Sequence, residues 1–229
     1  MEPTATIIVP VYNSLHVVRP CLESVARWTD LGRHRLIIAD DDSNAHTTQQ
    51  LEEWVATQPG SGLLASDINL GFVRNCNRAM AIADTKYIVL LNSDTCVTPR
   101  WLDKMISCME SDATIGVASP ISNFAPHLRI PMVPGTDYLQ MHALIEHHSQ
   151  KAYPDITTPE GFCFMVSAEC LATVGYFDAV FDRGYGEESD LSMRAVYNGF
   201  RTVCVDAVSY THLTLPTKKD ECRSRWSPV

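Results

Sequence analysis

Short apolar runs alternate with longer segments whose apolar residues recur at helical spacing. Capping and breaking residues, such as Pro59-Gly60, separate the segments. Strand–helix alternation of this kind predicts an α/β fold with a Rossmann-like, mostly parallel sheet covered by helices on both faces. The predicted strands are 6–11, 35–39, 63–66, 87–91, 115–118, 162–167 and 202–205, and the predicted helices are 14–28, 46–57, 71–83, 99–109, 138–148 and 187–197.

Two segments do not follow this pattern. Residues 119–135 are too rich in proline for a regular element and are predicted to form a surface loop. Residues 208–217, VSYTHLTLPT, resemble one reading frame of a sequencing adapter, and the residues after them have no apolar period. We therefore expect one domain over 1–207 and an artefactual or disordered tail over 208–229, and we assign no role to His212 in that tail. A genuine edge strand is the alternative.

Composition restricts the function classes. The chain has 229 residues, 45% of them hydrophobic, and a formal net charge of −9, which argues against nucleic acid as a partner. No apolar run is long enough to span a membrane, and the N-terminus does not have the pattern of a signal peptide. Eight cysteines without regular spacing favour reduced thiols, so we expect a cytoplasmic protein, with contact to the inner face of the membrane left open.

Two polar clusters directly follow predicted strands, and a third lies at the start of a predicted helix. They are Asp40-Asp41-Asp42-Ser43, Asn92-Ser93-Asp94 and the segment GYGEESD at 184–190. In an open α/β sheet, ligands bind beyond the carboxyl ends of the strands. The sequence therefore predicts that these clusters share one pocket.

Each cluster also has a simpler interpretation. Asn92 and Asp94 offer oxygen ligands of the kind that Mg²⁺ and Mn²⁺ prefer, but they could equally form a turn or cap the next helix. Glu187 and Glu188 could be ordinary acids in the first turn of a helix. Asp190 and Arg194 stand at i, i+4 spacing and could be a surface ion pair.

Five segments together resemble the ordered blocks of family-two glycosyltransferases. They are IIVPVYN (7–13), IIADDDS (37–43), NLGFVRNCN (69–77), YIVLLNSD (87–94) and GYGEESDLSMRAVYNGF (184–200). They occur in the family's order, and a further match lies at 161–181. The resemblance covers nearly all of residues 5–207 and implies an inverting enzyme with the nucleotide-sugar-binding GT-A fold.

The resemblance implies roles for residues on the donor side. Pro10 and Tyr12 match residues that line the nucleotide pocket. Asp40 matches the acid that contacts the base or ribose. The loop and helix flanking the nucleotide are matched by Asn69, Gly71 and Asn77.

The resemblance also implies the metal and catalytic residues. Asp94 matches the metal-binding acid of the family's Asp-x-Asp, and Asn92 replaces its first Asp. Glu188 matches the catalytic base, usually Asp, with Glu187 beside it. Asp190 is a further candidate that could orient Arg194 or an acceptor.

The expected reaction follows from these roles. The resemblance implies a nucleotide sugar as donor, a glycan or lipid-linked sugar as acceptor, a divalent cation (Mg²⁺ or Mn²⁺) and a place in cell-surface polysaccharide synthesis. Asp40-x-Asp42 also resembles the start of a haloacid-dehalogenase-like phosphatase, although Asn44 stands where that family has Thr or Val. A catalytically silent nucleotide-binding module is the third alternative. No GxGxxG follows the first strand, which argues against a dehydrogenase.

Overall fold

The computed structural model describes residues 4–212 except 124, 126 and 183, and for residues 211 and 212 it describes the backbone alone. Within that part, the strands form a sheet in the order β3-β2-β1-β4-β7-β6-β8-β5. The strands are β1 (Ala5–Val11), β2 (Arg35–Asp40), β3 (Ser61–Leu64), β4 (Tyr87–Leu91), β5 (Thr95–Cys96), β6 (Ile115–Ser122), β7 (Cys163–Ser167) and β8 (Arg201–His212).

The helices connect these strands and cover the sheet. They are α1 (Leu15–Trp28), α2 (Ala45–Thr57), α3 (Phe72–Ala81), α4 (Trp101–Ser111), α5 (Tyr138–His148), α6 (Ala168–Val174) and α7 (Glu187–Tyr197). In α1 the buried residues recur every three or four positions, which gives the helix one apolar face. Two buried clusters result, one joining β1 and β4 to α1 and α4, the other joining the sheet to α3, α6 and α7. Helices therefore cover both faces, as predicted.

The sheet is mostly parallel, except for β7 near its centre and the two-residue strand β5 at its edge, which is antiparallel to β8. Parallel pairing joins β3, β2, β1 and β4, and also joins β6 to β8. Strand β7 lies between β4 and β6 and is antiparallel to both. This reversed strand was not predicted, because alternation along the chain does not give the direction of a strand.

Several element boundaries differ from the sequence prediction. Strand β6 continues to Ser122, into the predicted loop, and helix α6 and the two-residue strand β5 were missed. Strand β8 continues to His212, and the side chains of Val208 and Tyr210 are buried in the core. The predicted domain boundary at 207 therefore falls inside a strand, and residues 208–212 belong to the sheet. Residues 213–229 lie outside the described residues, and the origin of the tail stays a prediction.

The helices between residues 4 and 212 include none that combines the length and the apolar character of a membrane-crossing segment.

The crossing of β6 and α6 leaves no room for a side chain at Gly116. A Cβ atom at this position would lie 2.8 Å from Phe200 Cβ and 2.9 Å from Cys170 Sγ. We expect Gly116→Ala to lower the free energy of unfolding by about 1–3 kcal/mol through overpacking. Urea unfolding monitored by circular dichroism measures this.

Gly62→Ala is the matched control, because a Cβ atom on this strand residue would meet no atom within 4 Å. It is expected to be neutral or to stabilise by up to about 1 kcal/mol, since alanine restricts the unfolded chain. Equal stability of the two variants would contradict the packing argument.

Candidate functional site

The carboxyl ends of three neighbouring strands form one edge of the sheet. Strand β1 lies between β2 and β4, and Val11 pairs with Asp40 at its end. At a spacing of about 4.8 Å between strands, the ends of β2 and β4 are about 10 Å apart. Asp40 and the Asn92–Asp94 segment therefore emerge at the same edge.

The Asp40 side chain is buried and engaged by its own loop. Its Oδ1 accepts a hydrogen bond from Ser43 N at 3.3 Å, and its Oδ2 accepts one from Thr48 Oγ1 at 2.8 Å. The loop is also tied to the end of β1, because Asn13 N donates to Ser43 Oγ at 2.7 Å. Half-buried Tyr12 and buried Pro10 belong to the same edge. Asp40 thus fixes the shape of this edge and has little surface left for a ligand.

Asp41 is a structural residue that the sequence prediction missed. Its carboxylate accepts hydrogen bonds from Leu70 N (2.7 Å) and Gly71 N (2.9 Å), and its backbone carbonyl accepts one from Asn69 Nδ2 (3.1 Å). Burial raises the pKa of Asp41, although these backbone amides and Arg78 oppose the rise. No sequence signal separates Asp41 from its acidic neighbours. It joins the end of β2 to the start of α3.

The start of α3 is joined in turn to the segment before α7. Gly71 has a φ of +80°, and a Cβ atom there would lie 3.4 Å from Asp182 O. Val73 N donates to the same carbonyl at 3.3 Å. The Asn77 side chain both donates to Phe177 O (2.8 Å) and accepts from Phe177 N (3.1 Å). Asn77 therefore holds this segment in place, and its predicted position in the helix that flanks the nucleotide stays a prediction.

The residues just before β7 connect the Asn92–Asp94 cluster to the cluster at 184–190. Asn92 N donates to Phe162 O at 2.8 Å. One residue earlier, a Cβ atom on Gly161 would lie only 3.3 Å from Glu188 Oε1. The Glu188 carboxylate thus lies close to the turn residue Gly161, which precedes Phe162 and its contact with Asn92. The three predicted clusters are brought together around this edge.

Glu187 and Glu188 begin α7 and differ in environment. The Glu187 side chain is 5% exposed, whereas that of Glu188 is half-buried. Burial, together with the neighbouring charge of Glu188, raises the pKa of Glu187 to about 7, against backbone hydrogen bonds from Glu187 and Tyr185. In both residues the Oε2 atom is buried and accepts no hydrogen bond within the described part of the chain. Unmet acceptors of this kind are typical of a site completed by a ligand.

Asp190, the third predicted acid, has a structural partner. Its Oδ2 accepts hydrogen bonds from Arg194 Nε (2.9 Å) and Nη2 (2.8 Å). Arg194 in turn donates to the carbonyls of Val174 and Tyr176 just beyond α6. The pair joins α7 to the end of α6, so the interpretation of these residues as an ion pair fits the structure, and Asp190 orients Arg194.

Comparison with known proteins identifies the family of the chain. The family model "Glycosyl transferase family 2" matches residues 6–175. The chain belongs to glycosyl transferase family 2. The family resemblance noted in the sequence is therefore confirmed.

Solved structures confirm the GT-A fold of this transferase. The structure of GalNAc-T7 with UDP, GalNAc and Mn²⁺ superimposes with a TM-score of 0.74 at 15% identity, over 92% of this chain and 44% of that one. The mannosyltransferase PcManGT from Pyrobaculum calidifontis, in complex with GDP-Man and Mn²⁺, gives 0.73 at 18% identity, over 98% of this chain and 61% of that one.

Relatives by sequence are longer than this transferase. An uncharacterized glycosyltransferase of Haemophilus influenzae is 24% identical over 110 residues, which are 48% of this chain and 34% of the relative. One from Methanocaldococcus jannaschii is 24% identical over 115 residues, which are 50% of this chain and 40% of the relative. The alignments thus span about a third to two fifths of the relatives' length.

The donor atoms that follow β4 are of the kind that a divalent cation binds. Asp94 offers a carboxylate and Asn92 an amide oxygen at the end of β4, and Mg²⁺ or Mn²⁺ typically takes one or two carboxylates together with substrate phosphates. Within the described residues, no group of three His, Cys, Asp or Glu could hold a metal alone. Strand pairing puts the backbone of His212 opposite Thr95, next to Asp94 in the chain.

The buried Glu187 predicts a pH-dependent stability. The folded protein keeps the Glu187 proton up to about pH 7, whereas an ordinary glutamate loses it near 4.5. Ionisation of Glu187 therefore destabilises the fold progressively as pH rises through this window. Glu187→Gln should match the wild type near pH 5 and exceed its free energy of unfolding by up to about 3 kcal/mol at pH 8.

Urea unfolding at pH 5, 6, 7 and 8 measures the difference. Glu110→Gln, which removes an exposed carboxylate paired with Lys86, is the control and should show no such trend. A Glu187→Gln variant that is equally destabilised at every pH would contradict the raised pKa.

Proposed function

We propose that this family 2 protein transfers a sugar from a nucleotide diphosphate sugar to an acceptor hydroxyl, with inversion at the anomeric carbon and with Glu188 as general base. The observation that carries the proposal is the contact of the Glu188 carboxylate with Gly161, beside the Asn92–Phe162 hydrogen bond. It supports an arrangement in which base and leaving diphosphate face each other across one sugar.

Glu188 has the environment that a general base needs. A hydroxyl is a weak nucleophile and requires a base within hydrogen-bond reach as the new bond forms. The Glu188 side chain is half-buried, and its Oε2 is inside the site without a protein donor among the described residues. Glu187, which precedes it in α7, is buried. A single displacement, with base and leaving group on opposite faces of the ring, inverts the anomeric centre.

The donor is proposed to lie along the edge formed by β1, β2 and β4. Pro10, Tyr12 and the Asp40 loop would flank the nucleoside, and Asn69 and Gly71 would approach it from the start of α3. Asp94, assisted by Asn92, would hold Mg²⁺ or Mn²⁺. When bound, the cation neutralises charge that develops on the leaving diphosphate.

The structural neighbours support the classes of donor and cation. GalNAc-T7 was solved with UDP and Mn²⁺, PcManGT with GDP-Man and Mn²⁺, and Staphylococcus aureus TarS with UDP-GlcNAc. All three ligands are nucleoside diphosphates or their sugars. We propose the same donor class here, with a glycan or lipid-linked sugar as acceptor in surface polysaccharide synthesis at the inner face of the membrane.

The phosphatase alternative has less support. A phosphatase nucleophile must reach a phosphorus atom, but the Asp40 side chain is 1% exposed and both of its oxygens accept protein hydrogen bonds. Asp42 is exposed and could act as an acid or base. It would have no nucleophile to assist, because the carboxylate of Asp40 is occupied by its hydrogen bonds to Ser43 and Thr48. A silent nucleotide-binding module is distinguished from the transferase by turnover.

Glu188→Gln tests the base. The amide cannot accept the proton of the acceptor hydroxyl, so turnover should fall by about 10²–10⁴-fold while nucleotide affinity stays within about threefold. Release of UDP or GDP from nucleotide sugars measures turnover, and calorimetry measures binding. Glu169→Gln, on the exposed side of α6, is the control and should keep both. Equal loss of binding and turnover would mean that Glu188 is structural.

Asp94→Asn tests the cation site. Calorimetry with UDP, GDP and dTDP, each with and without Mn²⁺, should reveal a nucleotide whose affinity rises when Mn²⁺ is present. In Asp94→Asn that metal-dependent gain should fall by at least about tenfold, because one anionic ligand is lost. Asp103→Asn, exposed on α4, should keep it. No heat with any nucleotide in the wild type would contradict the transferase proposal.

A further inference from the structure

Tyr185 is the most exposed large hydrophobic residue in the described part of the chain, at 86%. It lies two residues before Glu187 and three before Glu188, in the segment that leads into α7. Its ring therefore adds nothing to the core. An aromatic side chain at this place needs another explanation than packing.

The backbone at Tyr185 is also strained. Its φ is +74°, in the left-handed region, between Gly184 (φ +110°) and Gly186 (φ +113°). A residue with a side chain held there costs about 1 kcal/mol or more, whereas glycine would cost almost nothing. The two flanking positions are glycine and the central one is not. The strained conformation therefore carries an aromatic ring where the fold alone would favour a third glycine.

The surrounding contacts fix this strained turn. Gly184 N donates to Phe181 O at 2.8 Å, and Asp190 N donates to Gly186 O at 2.8 Å. A Cβ atom on Gly186 would lie 3.0 Å from Phe181 Cε1, so the Phe181 ring packs directly against this glycine. The backbone is therefore anchored on both sides of Tyr185, whose side chain is exposed.

The neighbouring polar groups point to a ligand. Glu187 is 5% exposed. Neither its Oε2 atom nor that of Glu188 accepts a hydrogen bond within the described residues. A group with hydroxyls that enters the pocket would supply donors to these atoms. Tyr185 is close to these acids in the fold as well as in the chain, because a Cβ atom on its neighbour Gly184 would lie 3.6 Å from Glu187 Oε1.

We propose that the ring of Tyr185 is the platform on which the acceptor sugar stacks while its hydroxyl points to Glu188. A pyranose has an apolar face of C–H groups and a rim of hydroxyls, which suits an aromatic face beside two carboxyl groups. The inference rests on the proposed function and assigns a glycan acceptor with a pyranose ring next to the reacting hydroxyl. Tyr185 is a specificity-determining residue, and Glu188 alone carries the proton.

Tyr197, the last residue of α7, provides a matched control. It is 83% exposed, so it resembles Tyr185 in residue type and accessibility. It ends α7 in ordinary helical geometry, ten residues beyond Glu187, and shows no positive φ. Loss of an exposed tyrosine as such can therefore be separated from loss of the platform.

The experiment compares Tyr185→Ala, Tyr185→Gly, Tyr185→Phe and Tyr197→Ala with the wild type. Each protein is loaded with the nucleoside diphosphate that it binds and Mn²⁺. Saturation-transfer difference NMR then measures binding of methyl glucoside, galactoside, mannoside and N-acetylglucosaminide. The wild type should bind at least one of them at millimolar concentration. Alanine and glycine at 185 should weaken this binding at least tenfold, phenylalanine less than threefold, and Tyr197→Ala not at all.

Two further readouts exclude a structural effect. Nucleotide affinity and slow hydrolysis of the donor by water should be unchanged in all four variants, because neither uses the acceptor platform. The melting temperature of Tyr185→Gly should equal or exceed that of the wild type, because glycine relieves the positive φ.

Contrary results are distinct. If nucleotide binds but no glycoside binds the wild type, or if Tyr185→Ala binds as the wild type does, the platform is wrong and the transferase proposal stands. Equal loss in Tyr197→Ala, or a lower melting temperature of Tyr185→Gly, would also overturn the platform. If no nucleotide binds and no donor is hydrolysed, the proposed function itself fails, and the acceptor role fails with it.

Discussion

The reversed direction of strand β7 is the constraint on which the site depends. Because β7 is antiparallel to β4, its first residue, Cys163, pairs with Leu91 at the carboxyl end of β4. The residues just before it therefore lie at the edge where ligands bind, and Asn92 N reaches Phe162 O there. A parallel β7 would deliver the same residues to the opposite edge. Gly161 could then not pack against Glu188, and the base would be separated from the end of β4.

Buried carboxylates around this edge divide into those that the fold satisfies and those that it does not. Asp41 accepts two backbone amides from the start of α3. Glu160 accepts hydrogen bonds from His127 N (2.7 Å) and Leu128 N (2.9 Å), which joins the loop after β6 to the segment just before β7. Glu187, equally buried, keeps an oxygen without a donor in the described chain and has a pKa raised to about 7. Since an unmet buried acceptor costs stability, its place beside Glu188 is consistent with a site that a ligand completes.

The sequence predicted the elements and the edge but not the contacts that hold them. The spacing of apolar residues, together with proline, glycine and capping residues, located most helices and strands. The family-like sequence blocks placed Asp94 and Glu188 at the predicted edge. Asp41 and Glu160 were missed because their roles come from backbone amides far away in the chain, which no local pattern encodes. Asn77 was assigned to the nucleotide by resemblance alone, and its pairing with Phe177, one hundred residues later, depends on tertiary structure. The direction of β7 was missed for the same reason.

The end of strand β8 shows how packing can include a segment that sequence reasoning set aside. Tyr210 lies edge-on to both Trp101 and Phe162, with ring centroids 5.8 Å apart in each pair, and its hydroxyl contacts Met105 Sδ at 3.4 Å. The Phe162 carbonyl accepts the hydrogen bond from Asn92 N, so the contact between the Tyr210 and Phe162 rings stabilises a residue of the site. The sequence analysis placed residues 208–212 outside the domain. In the structure, Val208 and Tyr210 fill the core at this end of the sheet. Whatever the origin of these residues, the consecutive side chains of Val208, Ser209 and Tyr210 are buried and fill this part of the core, because packing depends on the volume and polarity of the side chains that a strand presents.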